Sequence, residues 1–339
     1  MRVFQIQDDW GFDHLQIADR PVPKPGPGQV LVAMKASSIN FRDLVVPKRG
    51  YGAFTGTLPL IPLSDGVGTI AELGAGVAGF KVGDRVCPTF MQKWQAGEPS
   101  LDRLTATLGG PIDGTMAEFM CVPQDGVVRV PDYLSDVEAA TLPCAALTAW
   151  SALCTYDRIA PGSRVLVQGT GGVALFALQI AKLQGAHVTI ISSSDEKIGR
   201  AKTLGADAAI NYRTTPEWAK ASRDITGGAG YDHILELGGA TTLPQSLRCI
   251  RPGGTISMIG VLSGGTMTAP LGLVVTRQVR LQGITVGHHD GFVAMMNAFA
   301  QHRVKPVVDR EFRFEELKEA MAYLESGAHF GKVCIRHHQ

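Results

Sequence analysis

The sequence predicts an α/β protein in which a β-barrel domain accompanies a doubly wound parallel sheet. Three observations support this fold class. Residues 1–130 contain many short strands separated by Gly- and Pro-rich turns. Residues 163–192 read as strand, glycine-rich turn, helix and strand. Strands and helices then alternate as far as residue 286, as in a parallel sheet.

The first 130 residues are predicted to be all β. Alternating apolar residues at 29–36 follow a turn-rich stretch at 21–28, and short strands are predicted at 67–73, 82–87 and 117–123. Such a pattern is typical of a barrel or a sandwich. Residues 88–112 are predicted to form an irregular lobe or lid, and 138–153 to form a helix leading into the second domain.

The stretch at 163–192 is predicted to bind a dinucleotide. Its turn contains Gly169, Thr170, Gly171, Gly172 and Val173, with Ala174 where a third glycine is common. Gly169 allows a tight turn, and Gly171 lets the backbone approach a pyrophosphate closely. The following helix offers free N–H groups and the positive end of its dipole to the phosphates. An ATPase-type phosphate loop is disfavoured, because no Gly-Lys-Ser/Thr follows.

The residues after the second strand favour NADP(H) over NAD(H). An acidic residue that would bind the ribose 2′-hydroxyl is replaced by Ser192, Ser193 and Ser194. Asp195 and Glu196 are interpreted as the first turn of a helix, with Ser193 and Glu196 spaced as a capping box. Candidate donors to a 2′-phosphate are Lys197, Tyr212 and Arg213, although Lys197 can equally be a solvated helix lysine.

Alternating elements continue to the end of the sequence. Helices are predicted at 198–204, 216–224 and 242–250, and strands at 208–211, 231–237, 255–261 and 278–286. Parallel strands place a ligand at their carboxyl ends. Further helices are predicted at 291–302 and 314–325 and a strand at 332–335, before a polar, frayed tail at 336–339.

Composition excludes several classes of partner. The 32 basic and 31 acidic residues give a net charge of +1, which creates no field for nucleic acid or an anionic membrane. The N-terminal residues lack the apolar stretch of a signal peptide, and no apolar run nears the length needed to span a bilayer, so neither kind of segment is expected. The six cysteines form no regular framework and are interpreted as reduced thiols, which predicts a cytoplasmic protein.

Several motifs occur in a characteristic order. They are PGQVLV at 27–32, SINFRD at 38–43, GFKVGDRV at 79–86, LPCAALTAW at 142–150, GTGGV at 169–173, RPGG at 251–254 and GAHFGKV at 327–333. With these motifs the chain resembles the medium-chain dehydrogenase/reductase superfamily from end to end. The resemblance implies a GroES-like barrel domain at 1–130 and 287–339. A Rossmann domain at 131–286 would interrupt it, with the active site in the cleft between the two.

Zinc alcohol dehydrogenases of that superfamily hold their catalytic metal with Cys, His and Cys. The matching positions here are Asn40, Ser64 and Cys144, and the stretch matching the four-cysteine structural zinc lobe has only Cys87. We therefore predict no metal site. The chain resembles instead the zinc-free, quinone oxidoreductase-like branch, which reduces quinones or activated C=C bonds with NADPH.

The resemblance implies the candidate catalytic residues. Asn40 and Tyr51 would line the nicotinamide pocket and donate hydrogen bonds to the carbonyl oxygen of the substrate. Asp43 is expected to hold Arg42 or the loop in place. Asn40 can instead be a turn residue, and Tyr51 a loop aromatic. Further cofactor-binding residues are expected at Thr148, Gly260, Val261, Phe330 and Lys332.

The leading hypothesis is an NADPH-dependent, zinc-independent reductase of a quinone or an α,β-unsaturated carbonyl. The alternatives are an alcohol/aldehyde dehydrogenase and a non-catalytic NADPH-binding protein. A homodimer is also expected, because an apolar strand at 278–286 would lie at a sheet edge that needs covering.

Overall fold

The structure is a computed structural model that describes residues 1–266, 268–269 and 271–337. The chain divides into two compact units. Met1–Leu147 and the segment from Gly287 onward form the barrel unit, and Thr148–Val286 form the Rossmann unit. The boundary at 286/287 lies where the sequence predicts it. The other boundary follows Leu147 rather than residue 130, because the intervening segment packs on barrel strands, with Arg85 Nη2 2.7 Å from Asp136 Oδ1.

The α/β fold class is confirmed, and the elements are as follows. The strands are β1 (Arg2–Ile6), β2 (Leu15–Asp19), β3 (Gln29–Ile39), β4 (Asp65–Leu73), β5 (Arg85–Pro88), β6 (Phe119–Pro123), β7 (Val127–Arg129), β8 (Arg164–Gln168), β9 (His187–Ser192), β10 (Ala208–Asn211), β11 (Tyr231–Glu236), β12 (Ile250–Met258), β13 (Arg280–Gly283), β14 (Val308–Arg313) and β15 (Lys332–Arg336). The α-helices are α1 (Arg42–Val45), α2 (Leu101–Thr105), α3 (Asp136–Ala140), α4 (Leu147–Trp150), α5 (Gly172–Leu183), α6 (Asp195–Thr203), α7 (Trp218–Ile225), α8 (Leu243–Cys249), α9 (Leu271–Thr276), α10 (His289–His302) and α11 (Leu317–Glu325).

The barrel unit is built around β3. This long strand pairs antiparallel with β4, β6 and β15, in a sheet ordered β14-β15-β3-β4-β5-β7. Alternate residues of β3 are apolar and buried, including Val30, Val32 and Met34. Because β15 pairs directly with β3, residues from the two distant segments of the barrel unit lie side by side.

The Rossmann unit has a six-stranded sheet ordered β10-β9-β8-β11-β12-β13, with every neighbouring pair parallel. The strand order reverses between β8 and β11, which is where doubly wound sheets bind their ligands. Strands β8 and β11 have apolar residues that are fully buried, as expected when helices cover both faces.

Several predicted elements differ from the structure. The helix predicted at 138–153 is divided into α3, α4 and π-helical segments at Leu142–Ala146 and Ser151–Thr155. Pro143 contributes to the first interruption, because proline lacks an N–H group and its ring clashes with the preceding turn. The predicted irregular lobe includes α2, and the strand predicted at 278–286 is reduced to β13.

The predicted polar tail is partly structured. Arg336 ends β15, and His337 is buried with its Nε2 atom 2.8 Å from Ser37 Oγ. His338 and Gln339, which belong to the same prediction, lie outside the described residues. Within the described ranges no helix is long and apolar enough to cross a bilayer.

Candidate functional site

The turn between β8 and α5 is the predicted phosphate-binding loop, and its binding role stays a prediction. Gly169 adopts a φ of +79°, and a Cβ atom added there would meet nothing within 4 Å. The glycine is therefore required by the backbone conformation and opens the loop to an approaching group. Gly171 is the N-cap of α5, and no side chain caps the first N–H groups of the helix. Those groups can bind an anion.

A cavity of about 450 Å³ lies at the carboxyl ends of the strands in the Rossmann unit. Its lining residues lie at or after the carboxyl ends of β8 to β12 or on α7 and α8: Gln168, Gly169, Ile191, Tyr212, Pro216, Trp218, Leu237, Gly238, Thr241, Thr242, Gln245, Leu262 and Ser263. Of these the sequence predicted Gly169 and Tyr212. The others have no motif of their own, but several of them lie at or just after the ends of predicted strands, which was a usable signal.

A buried carboxylate that the sequence reasoning missed shapes this loop. Glu236 ends β11, is fully buried, and accepts a hydrogen bond of 2.7 Å from Gln168 Nε2 at the end of β8. It also accepts backbone N–H bonds from Gly238 and Gly239 at 3.1 and 3.0 Å. Gln168 Oε1 accepts in turn from the backbone N–H groups of Leu237 and Gly238, so the Glu236 and Gln168 side chains together join the two loops that line the cavity.

The end of β9 carries no carboxylate that could receive a ribose hydroxyl. The strand ends at Ser192, which is buried, and Ser193 is partly exposed. The helix cap differs from the prediction: Ser194, not Ser193, accepts the hydrogen bond of the Lys197 N–H, at 3.3 Å. Asp195 accepts a bond of 2.8 Å from the Asn211 side chain.

The remaining predicted cofactor residues fall in both units. In the Rossmann unit, Thr148 and Thr170 are buried, while Val261 beside Gly260 is 61 % exposed on the loop after β12. Gly172 and Val173 form the first turn of α5. In the barrel unit, Phe330 and Lys332 are buried, with exposed fractions of 2 % and 3 %. A role in cofactor binding stays a prediction for each of these residues.

The turn after β3 contains two of the predicted catalytic residues. Asp43 is fully buried, and its Oδ2 atom accepts a hydrogen bond of 2.8 Å from the Asn40 backbone N–H. Burial raises the pKa of Asp43 to about 6, although the Arg42 guanidinium and the Asn40 N–H oppose the rise. Arg42 is held in turn by the carbonyls of Leu108 and Gly110, at 2.9 and 3.0 Å. Asp43 therefore binds the backbone of the turn, and its predicted catalytic role stays a prediction.

A second buried carboxylate lies at the start of β4. Asp65 is fully buried and accepts hydrogen bonds from Ser64 Oγ at 2.8 Å and from the Cys144 backbone N–H at 3.1 Å. Burial raises the pKa of Asp65, while the charge of Lys332, the Asn40 side chain and these two donors oppose the rise. Asp65 was not among the predicted site residues.

Lys332 joins the last strand to this cluster. Its Nζ atom donates to the Ile39 carbonyl at 2.8 Å and to Asn40 Oδ1 at 2.6 Å. The carbonyl side of the Asn40 amide therefore faces an ammonium group. This contact was not predicted, because nothing in the local sequence indicates that residues 40 and 332 are neighbours.

Tyr51 lies beyond the same turn and is 45 % exposed. Partial burial raises the pKa of its hydroxyl, with Asp43 acting in the same direction and Arg42 in the opposite one. The phenol is therefore protonated at neutral pH and can donate a hydrogen bond. Arg42 and Asp43 are near enough to Tyr51 to act on its hydroxyl, and a catalytic role for Asn40, Asp43 and Tyr51 stays a prediction.

The residues at the positions of the superfamily's zinc ligands do not suit zinc. Asn40 Oδ1 is bonded to the Lys332 ammonium, and Ser64 Oγ donates to Asp65. Cys144 is an ordinary zinc ligand, but one thiolate cannot hold the ion without further ligands. Across the described residues no group of three or more His, Cys, Asp or Glu side chains could hold a metal ion. A metal-free site stays a prediction that metal analysis can test.

Comparison with known proteins agrees with both units. Residues 26–132 match the alcohol dehydrogenase GroES-like domain, and residues 172–301 match the zinc-binding dehydrogenase family. A zinc-type alcohol dehydrogenase-like protein of Schizosaccharomyces pombe is 44 % identical over 96 % of both chains. The chain belongs to the medium-chain dehydrogenase/reductase superfamily.

Solved structures of superfamily members have the same fold. A crystal structure assigned as an alcohol dehydrogenase from Sinorhizobium meliloti has a TM-score of 0.93 and 42 % identity, covering 99 % of this chain and 98 % of that one. An NAD-dependent alcohol dehydrogenase has a TM-score of 0.91 and 34 % identity over the full length of both chains. This member of the medium-chain dehydrogenase/reductase superfamily is an NAD(P)H-dependent oxidoreductase, as the sequence predicted.

Proposed function

We propose that the protein is an NADPH-dependent, zinc-independent reductase of quinones or α,β-unsaturated carbonyl compounds. The observation that carries the proposal is the set of side chains at the superfamily's catalytic metal position. The Asn40 and Ser64 side chains are neutral and already bonded to Lys332 and Asp65, which leaves Cys144 as the one ordinary zinc ligand of the three positions. Such a site suits a substrate that needs no strong Lewis acid.

Conjugation in the substrate helps to stabilise the negative charge that a metal ion would otherwise stabilise. When an enone or quinone accepts a hydride, negative charge spreads onto its carbonyl oxygen, and side-chain donors can stabilise it. Bound nicotinamide cofactor supplies that hydride. Asn40 Nδ2 and the protonated Tyr51 hydroxyl are the donors that we assign to the oxygen. Asp43 holds the Asn40 backbone in place, at 2.8 Å from its N–H group.

Preference for NADPH is supported by the surroundings of β9. The strand ends at Ser192 without a carboxylate to repel a 2′-phosphate, and the nearby Asp195 is bonded to Asn211. Lys197 lies in the first turn of α6, and Tyr212 lines the cavity. The solved relative described as NAD-dependent makes NADH the cofactor to compare.

An alcohol or aldehyde dehydrogenase is the second candidate. It is favoured by the description of the Schizosaccharomyces pombe relative, which is 44 % identical, as zinc-type alcohol dehydrogenase-like. In that reaction an unconjugated alkoxide must be stabilised, and Asn40 and Tyr51 alone are weaker groups for the task than a metal ion. Both candidate reactions use the same cofactor loop.

One experiment separates the two candidates. The purified protein is analysed for zinc, dialysed against a chelator, and assayed with NADPH and NADH on quinones, enones, saturated aldehydes and alcohols. We expect less than a tenth of an equivalent of zinc and undiminished reduction of conjugated acceptors after chelation. Stoichiometric zinc, with alcohol oxidation that chelation abolishes and zinc restores, would establish the second candidate instead.

A further inference from the structure

Lys332 is an unusual lysine, because its ammonium group is inside the barrel unit. The residue begins β15 and is only 3 % exposed. In the antiparallel pairing with β3, Val333 lies opposite Ile39, which brings Lys332 beside Asn40. A buried ammonium is costly unless hydrogen bonds and opposite charges surround it.

Both requirements are met by groups of the candidate site. Nζ donates to Ile39 O at 2.8 Å and to Asn40 Oδ1 at 2.6 Å. Two fully buried carboxylates, Asp43 and Asp65, lie close enough for the Lys332 charge to favour their ionised forms. The charge of Lys332 is thus balanced inside the cluster and does not need solvent or a ligand.

The contact also determines which way the Asn40 amide faces. An ammonium can only donate hydrogen bonds, so the atom of the amide that faces Nζ must be the carbonyl oxygen. The NH2 group must then point away from Lys332. Its nitrogen is buried and has no hydrogen-bond partner among the described residues, so its two hydrogens are available to an incoming oxygen.

We propose that Lys332 is a positioning residue, whose ammonium holds the Asn40 amide with its N–H groups presented to the carbonyl oxygen of the substrate. This inference rests on the proposed role of Asn40 as a hydrogen-bond donor. It gives Lys332 a different task from the cofactor binding that the family resemblance implied. It also gives a reason why the cationic side chain of Lys332 lies beside neutral residues at the positions of the superfamily's zinc ligands.

A double-mutant cycle tests the inference. Lys332→Met should lower kcat by tenfold to a hundredfold and change the Kd for NADPH by less than twofold. Lys332→Arg, which keeps a cationic donor, should retain more of kcat than Lys332→Met does. In the Asn40→Ala background, Lys332→Met should lower kcat by less than a further twofold, since it acts through Asn40.

Two further variants control for loss of folding and for loss of a positive charge. Lys332→Met combined with Asp65→Asn preserves the charge balance if the single variant does not fold, and it should show the same loss of kcat. Lys48→Met changes an exposed lysine paired with Glu325 and should leave kcat and Kd unaltered.

Two outcomes would contradict the inference. Independent, multiplicative losses in the cycle would show that Lys332 does not act through Asn40. A large rise in the NADPH Kd with unchanged kcat would instead assign Lys332 to cofactor binding. The cycle is measured on the substrate that is turned over best. An incorrect substrate class is therefore detected in the substrate panel, and the cycle still tests whether Lys332 acts through Asn40.

Discussion

The Asn40 backbone N–H donates a hydrogen bond of 2.8 Å to Asp43 Oδ2, and this bond closes the turn that follows β3. Asp43 is fully buried, and burial raises its pKa to about 6, so the charge at this turn changes just below neutral pH. Holding Asn40 from its backbone and from its side chain requires two different charged residues, Asp43 and Lys332. The stability of the barrel unit should therefore respond to pH through this turn.

Asp43→Asn should change the pH dependence of unfolding. Burial raises the pKa of Asp43 from 3.8 to about 6. Folding therefore favours the protonated carboxyl, and the stability that this state contributes is complete below pH 4 and is lost as pH rises through 6. Asparagine keeps an acceptor and does not ionise. The variant should gain stability relative to wild type between pH 4 and pH 7, on the order of 3 kcal/mol. Denaturant unfolding at each pH measures the difference, and Asp102→Asn at an exposed site should show no such trend.

Tyr51→Phe should lower kcat about tenfold to a thousandfold without altering cofactor affinity, because a donor to the developing oxyanion is lost. Steady-state kinetics and a separate binding titration measure the two effects. Tyr323→Phe, which removes a hydroxyl bonded to Asp309 far along the chain, is the control. A silent Tyr51→Phe beside an impaired Asn40→Ala would transfer the donor role to Asn40 alone.

Gly169→Ala should weaken cofactor binding more than it weakens the fold. The residue has a φ of +79°, so alanine adds strain of about 1–2 kcal/mol, and its methyl group enters the space open to a phosphate. Gly76→Ala is matched, with a φ of +77° and equally open surroundings, but it lies in the barrel unit. Both variants should lose similar stability, and only Gly169→Ala should raise the cofactor Kd, by at least tenfold. Equal affinities in the two variants would contradict the loop assignment.

Lys197→Ala should raise the KM for NADPH about ten- to a hundredfold and leave that for NADH nearly unchanged. A charge-assisted hydrogen bond to the 2′-phosphate contributes roughly 1.5–3 kcal/mol. Lys202→Ala, on the exposed last turn of the same helix, controls for the loss of one positive charge. A wild-type enzyme with equal affinity for both cofactors would refute the proposed preference.

A homodimer through the edge of the Rossmann sheet is our prediction for the assembly. β13 lies at one edge of that sheet, and Leu281 on it is 44 % exposed. The other apolar residues of the predicted strand, Val279, Ile284 and Val286, are buried and cannot line the edge. Light scattering at micromolar concentration should give a dimer mass for wild type and a monomer mass for Leu281→Lys. Ile17→Lys, equally exposed on β2, should remain dimeric.

How much the sequence could predict depends on the range of the contacts involved. The loop from Gly169 to Val173 was found because its glycines, its strand and its helix are consecutive residues. The cap of α6 was misplaced from Ser194 to Ser193, because adjacent serines offer equivalent local signals. The bonds of Lys332 to Asn40 and of Glu236 to Gln168 could not be predicted, since strand register alone brings those residues together.

The pairing of β3 with β15 has a consequence for the order in which the chain is made. The Nζ bond of Lys332 to Ile39 O joins residues 293 positions apart, which corresponds to about 15–60 s of synthesis at 5–20 residues per second. All strands of the Rossmann sheet are translated within that interval, by residue 283. The nascent chain can therefore fold the loop at residues 169–173 before β15, which pairs with one edge of β3, has been synthesised. The barrel unit is thus the first to be started and the last to be completed, and Lys332 is synthesised with β15, the strand that completes it.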